Sequence, residues 1–203
     1  MDIFIVGILF YICGSIPFGL ILTKFFTNTD IRKFGSGNIG ATNVLRTGNK
    51  FLAITTLLLD ALKGFFPVIL TKIYYPEFIF FSCLLAFLGH VFPIWLRFKG
   101  GKGVATYLGI LFALSLQLSL LFIFTWIILT LIFKYSSLSS IFASFSVFVI
   151  SFIKETSLSL ILKSTEAETN LFILLFIFLI LIIFTHRKNI YRLRNKTEQK
   201  IKL

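Results

Sequence analysis

Six stretches of this sequence, 3–23, 51–73, 78–96, 104–133, 138–153 and 170–186, are almost purely apolar. A helix that crosses a bilayer needs roughly 17 to 25 such residues, so the chain reads as a helical membrane protein. The rest of the composition agrees. Of its 203 residues 57% are hydrophobic and only 14% charged, against roughly 25% charged in soluble domains, which excludes an ordinary water-soluble globule. Cys13 and Cys83 both fall inside apolar stretches, which leaves no disulfide framework and no thiolate-rich metal site. The opening Met-Asp-Ile-Phe-Ile has no basic region and no small-residue cleavage site after it, so 3–23 reads as a retained span.

Charge sets the topology. Lys and Arg gather in 24–50, in 97–102 and in the tail from Arg187 to Lys202, and the positive-inside rule places all three in the cytoplasm. The stretch 104–133 is too long for one upright helix and too short for two full ones, and Ser115, Gln117 and Ser119 interrupt its middle. One span there would leave the cationic tail outside. Two short or tilted helices breaking near Gln117 return Lys134 and the tail to the inside. The expected fold is therefore an all-α integral membrane protein with seven transmembrane helices, its N-terminus outside and its C-terminus cytoplasmic. The loop 154–169, with Glu155, Glu166 and Glu168, then lies outside. No internal repeat or linker is visible, so 1–203 is expected to form a single helical membrane domain. The net charge of +12 suits cytoplasmic loops, an anionic substrate or lipid headgroups, with no nucleic acid implied.

Three polar islands carry the chemistry. In Phe34-Gly35-Ser36-Gly37-Asn38-Ile39-Gly40-Ala41-Thr42-Asn43-Val44-Leu45-Arg46 the glycines match a dinucleotide fingerprint by letter, but an apolar span precedes them where that motif needs a strand. A Gly-rich turn can still aim backbone N–H groups at an anion, with Ser36, Gly37, Asn38, Asn43 and the Arg46 fork around it. A capped polar loop is the alternative. The second island, Arg97-Phe98-Lys99-Gly100-Gly101-Lys102-Gly103, leads into a helix starting near Val104. Gly100, Gly101, Lys102 and Gly103 there form a phosphate cradle at a helix N-terminus, though not a Walker loop, which has Ser or Thr after its lysine. Cations anchoring the end of a span are the bland alternative. In the third island His186, Asn189 and Leu193 share one helix face, putting an imidazole beside an amide, unless the segment is only a polybasic lipid contact.

Within the spans, Asp60 and Lys63 stand three residues apart and are expected to pair. They serve either as a clamp or as neighbours of a site. His90 reads as an interior histidine, and Ser15 with Pro17 as a kink or packing point. The acids Asp30 and Glu198 on the cytoplasmic side are too few for a two-carboxylate Mg site, so no metal and no cofactor is expected. A His with Asp five residues on is missing too: Trp95 follows His90 at that spacing and Tyr191 follows His186.

In order and spacing these segments resemble the bacterial acyl-phosphate-dependent glycerol-3-phosphate acyltransferases. The resemblance runs through Ser15-Ile16-Pro17-Phe18-Gly19, Gly35 to Asn43 with Arg46, Asp60-Ala61-Leu62-Lys63-Gly64, His90 to Lys102, and His186-x-x-Asn189-Ile190-x-Arg192-Leu193. One departure stands out. The last motif resembles L-x-x-G-x-E, and Lys196 occupies the glycine position before Thr197-Glu198. The resemblance implies a multi-pass enzyme of the bacterial cytoplasmic membrane with its site facing the cytoplasm. Its substrates would be acyl phosphate and glycerol 3-phosphate, its products lysophosphatidic acid and phosphate, and its surroundings the bilayer and other phospholipid-synthesis enzymes. Ser36, Arg46, Lys102, His186 and Asn189 would be catalytic, with Gly37, Asn38, Asn43, Gly100, Gly101 and Gly103 binding substrate phosphates. An organic-phosphate transporter and a non-catalytic subunit of a lipid-synthesis complex are the readings from other classes.

Overall fold

The computed structural model describes residues 3–161 and 166–201. Among them every regular element is helical. They divide into two compact units, one made of residues 3–116 with 201 and the other of the described residues from 117 to 200.

In the first unit, α1 (Ile3–Ser15) and α2 (Phe18–Thr27) are one apolar segment broken at Ile16 and Pro17, with a bend of 41°. Proline lacks the N–H that would continue the ladder, so the expected kink is a true break. A short α3 (Ala41–Leu45) precedes α4 (Lys50–Tyr74), which packs against α6 (Val104–Leu114), α5 (Ile79–Val91), α3, α2 and α1. Glycines let these backbones approach. A Cβ on Gly64 would strike the Thr106 carbonyl oxygen and one on Gly109 the Ala61 carbonyl oxygen, so α4 and α6 touch main chain to main chain. Gly14 against Ala86 and Gly89 against Tyr11 do the same for α1 and α5. Small residues at such crossings supply the close packing that lipid, as apolar as the side chains, cannot drive.

Helix α4 also serves the breaks. Lys63 Nζ donates to the Ile16 carbonyl, 2.6 Å away, at the first break. Lys72 Nζ donates to the Ala113 carbonyl at 3.4 Å, beside the end of α6. A carbonyl freed from its ladder in hydrocarbon needs such a donor.

The stretch 104–133 is two helices, α6 and α7 (Leu116–Phe133), parted at Ser115, whose backbone is extended. The break falls two residues before Gln117, where it was expected. At 11 residues, α6 rises about 16 Å, roughly half of a hydrocarbon core about 30 Å thick. Among the described residues, four helices are long and apolar enough to cross a membrane, or up to six when each bent pair counts as one span.

In the second unit, α8 (Ser136–Ile161) and α9 (Glu166–Thr185) pack together, with the Phe148 ring stacked on Phe172 and tilted against Phe176. Helix takes up most of 154–169, which was expected as a loop; residues 162–165, including Lys163, lie outside the described residues. Hydroxyls tie α7 to α8: Trp126 Nε1 donates to Ser140 Oγ at 3.0 Å, and Thr130 to Ser139 at 2.9 Å. The cationic α10 (Arg187–Arg194) turns 57° away from α9 at His186.

Candidate active site

The first island is a loop built around one amide. Asn43 is buried, its Oδ1 accepts from the Ser36 N–H at 2.9 Å, and its Nδ2 faces the carbonyls of Ile31, Phe34 and Asn38 at 3.1, 3.0 and 2.7 Å. The sequence placed Asn43 at a phosphate; the structure places it beneath the loop as its pin. The backbone donors are engaged as well. Gly37 N–H reaches the Phe34 carbonyl at 2.9 Å and Gly40 N–H reaches Asn38 Oδ1 at 2.8 Å. Gly35 and Gly37 are glycine for conformation, with φ of 55° and 72°, in the left-handed region that other residues enter at a cost. With these N–H groups turned inward, an anion would meet side chains here, namely those of Ser36 and Arg46. Both are half-buried, and the Arg46 Cδ lies where a Cβ on Gly35 would crowd it.

The second island rests on the same apolar floor. Leu96 packs against the cluster of Ile31, Ile39, Val44 and Leu52 that underlies the first loop. Gly100 N–H bonds to the Val91 carbonyl and Gly101 N–H to the His90 carbonyl, each at 3.0 Å. A Cβ on Gly101 would collide with His90 Nε2, and one on Gly103 with the Phe87 ring. Close approach to α5 therefore accounts for these glycines, which the sequence read as amide donors. What remains to face an anion is the start of α6 and the half-buried Lys102 side chain.

The third island is the most connected. His186 is buried at the turn between α9 and α10, with Nδ1 2.8 Å from the Ile182 carbonyl. A carbonyl only accepts, so Nδ1 carries the hydrogen and the neutral ring's lone pair lies on Nε2. Asn189, also buried, donates from Nδ2 to Glu198 Oε1 at 2.5 Å. The same carboxylate accepts from Ser137 Oγ at 3.1 Å and from Arg192 Nε at 2.7 Å. Burial opposes ionisation of Glu198, but the hydrogen bonds from Arg192 and Asn189, the Arg192 charge and the Ser137 bond outweigh it and hold the carboxyl below its ordinary value. Its contribution is thus complete at neutral pH and is lost as pH falls through that lowered value.

Lys196 explains how Glu198 gets there. Thr197 N–H bonds to the Arg192 carbonyl at 2.8 Å and Lys196 N–H to the Leu193 carbonyl at 3.1 Å, the paired bonds of a Schellman turn. That turn needs a left-handed residue where Lys196 stands, and Lys196 has φ 58°. Glycine suits the position; lysine occupies it under strain of about 1 kcal/mol, part of which glycine's greater freedom in the unfolded chain offsets. The chain still reverses and brings Glu198 back onto α10. Melting temperatures should accordingly rank Lys196→Gly at or above the parent and Lys196→Val below both, by thermal scanning of purified protein. A Val variant as stable as the parent would contradict a left-handed turn.

Asp30 is paired, as Glu198 is. Arg32 forks onto Asp30 at 2.9 and 2.7 Å, and its hydrogen bond holds the carboxyl well below the usual range. No group of three or more His, Cys, Asp or Glu able to hold a metal occurs among the described residues. Ser137 and Arg192 escaped the sequence reading as site residues, since only the fold shows that they share Glu198.

Residues 4–196 match the family described as glycerol-3-phosphate acyltransferase. The chain is 53% identical over 203 residues to the glycerol-3-phosphate acyltransferase of Pelagibacter ubique, covering 100% of both chains. It is 49% identical over 191 residues to that of Mesorhizobium japonicum, covering 94% of this chain and 92% of the relative. Its fold is similar to the crystal structure of PlsY (YgiH), an integral membrane glycerol 3-phosphate acyltransferase, in the glycerol 3-phosphate form. The TM-score is 0.88 at 35% identity, with 98% of this chain and 95% of that one covered. Against the lysophosphatidic acid form the TM-score is 0.84 at 34% identity, with 97% and 94% covered.

Proposed function

The chain belongs to the glycerol-3-phosphate acyltransferase family, and from that membership we propose the reaction and the part each residue plays in it. The protein is a multi-pass membrane enzyme that acylates glycerol 3-phosphate. The observation that carries this reading is the likeness over 98% of the chain to the glycerol 3-phosphate form of a membrane acyltransferase. Acyl phosphate is the donor, as the resemblance of the ordered motifs implies.

The 1-hydroxyl of sn-glycerol 3-phosphate attacks the acyl carbonyl carbon, the anhydride C–O bond breaks, and inorganic phosphate leaves with the bonding pair. The product is lysophosphatidic acid. A mixed anhydride already has a good leaving group, so the protein's work is positioning and charge stabilisation. Two phosphates in one site repel each other. Opposite charges at 4 Å are worth about 4 kcal/mol each at an effective dielectric near 20, so several cations must converge on them. Lys102 at the start of α6 takes one phosphate, and Ser36 with Arg46 takes the other. His186 Nε2 accepts the hydroxyl proton, while Asn189, fixed by Glu198, lines the same helix face. The transporter reading loses ground to the family membership.

Seven membrane passes complete the proposal, the short α6 and its continuation α7 counting as two, with the N-terminus outside and the site in a single domain facing the cytoplasm. The concentration of Lys and Arg in 24–50, 97–102 and the tail supports it. Single cysteines in a background lacking Cys13 and Cys83 test it; labelling at residue 200 from outside intact cells would reverse it.

Purified protein given labelled glycerol 3-phosphate should form lysophosphatidic acid with acyl phosphate and not with acyl-CoA, and a chelator should leave the rate unchanged. Transfer from acyl-CoA alone would overturn the donor, and a chelator loss restored by Mg would overturn the metal-free mechanism.

A further inference from the structure

Three ionisable groups are buried in the first unit and have no part in the reaction above. Lys63 Nζ lies 2.8 Å from Asp60 Oδ1, and His90 Nδ1 lies 3.7 Å from the same oxygen. All three side chains are no more than 3% exposed. Bringing such groups into a span is costly even when they pair, and a well-packed apolar trio of similar volume is commonly at least as stable. Stability alone does not account for them.

Their connections lead to the two anion loops. Lys63 also holds the Ile16 carbonyl at the break in the first apolar segment. From that break α2 rises to meet the first loop, where a Cβ on Gly19 would strike the Ile39 carbonyl oxygen. At the other end His90 bears on the second loop twice. Its carbonyl accepts the Gly101 N–H, and its Nε2 occupies the space a Gly101 side chain would need. Lys102 is the next residue.

We infer that His90, oriented by the Asp60–Lys63 ion pair, is a positioning residue that sets the height of the Gly100–Lys102 loop and so the place of the Lys102 ammonium. The inference rests on the proposed role of Lys102 in holding a substrate phosphate. The imidazole acts as a shaped floor under Gly101. Asp60 lies against the Nδ1 edge of the ring, and Lys63 pairs with that carboxylate while joining it to the support of the first loop. A displacement of Lys102 by about 1 Å is enough to weaken a phosphate contact by an order of magnitude.

The test is a double-mutant cycle in the full-length enzyme, with His90→Ala, Gly101→Ala and both together, each substrate being varied in turn. His90→Ala should raise KM for one of the two phosphate substrates about tenfold, leaving the other KM and kcat within about threefold. Gly101→Ala should impose a similar or larger loss in the parent and none in the His90→Ala background, where its methyl has room. Recovery of folded Gly101→Ala protein only in the His90→Ala background would support the same contact. Folded His90→Ala enzyme with both KM values unchanged would overturn the inference, as would an equal cost of Gly101→Ala in both backgrounds. Should the parent enzyme show no acyl transfer, the functional reading fails separately. Protection of the parent against thermal unfolding by inorganic phosphate is then the readout: its loss in His90→Ala supports the inference and its survival overturns it.

Discussion

Replacing Lys102 or Arg46 by Ala should abolish measurable acyl transfer while leaving folded protein in the membrane. Each residue is proposed to meet a substrate phosphate, and the backbone amides around them are largely turned inward: Asn43 takes the Ser36 N–H, and Gly100 and Gly101 donate to α5. The side chains therefore carry more of the anion's charge than a cradle of free amides would require. A hydrogen bond to a charged group is worth roughly 1.5 to 3 kcal/mol, or tenfold and more in rate. Here the loss is larger, because the remaining cations must hold two mutually repelling phosphates. Arg46→Lys should recover little. It keeps the charge, but a point ammonium does not replace a planar fork on phosphate oxygens. Near-parental kinetics in both alanine variants would show that the basic islands are membrane anchors and would return the transporter or subunit readings.

His186→Ala should act on the chemical step. With Nδ1–H held by the Ile182 carbonyl at 2.8 Å, the ring is fixed in one tautomer and presents the Nε2 lone pair. A general base so placed contributes about 10² to 10⁴ in rate. The expected result is a fall of that order in kcat with little change in KM. The acid limb of the pH–rate profile should flatten. A rise in KM with kcat preserved would instead make His186 a phosphate ligand and leave the proton to an oxygen of the substrate.

The polar islands were legible in the sequence because glycine, lysine and amide residues stand out against apolar spans. Their internal workings were not. Asn43 looked like an anion ligand until the loop closed around it, since one amide offers the same donors to a phosphate as to three carbonyls. The three glycines around Lys102 looked like amide donors, and contact with His90 and Phe87 accounts for all three. Glu198 was legible as a motif with a doubtful neighbour. The Schellman turn shows that Lys196 pays for a conformation that glycine would adopt freely, yet adopts it, so the carboxylate reaches Asn189 and Arg192.

What the sequence by itself determined is the class of molecule and the segments that carry chemistry. Twenty-odd consecutive apolar residues leave a backbone in lipid no choice but helix, and the placing of Lys and Arg is a property of composition. Tertiary structure alone decided which polar groups face one another. Lys63 and Lys72 find carbonyls at breaks 47 and 41 residues away, and Ser137 meets Glu198 across 61. Such pairings follow from helix packing, where a glycine at a crossing fixes how closely two backbones approach and so which side chains come within hydrogen-bond reach. No local pattern in the chain encodes that distance.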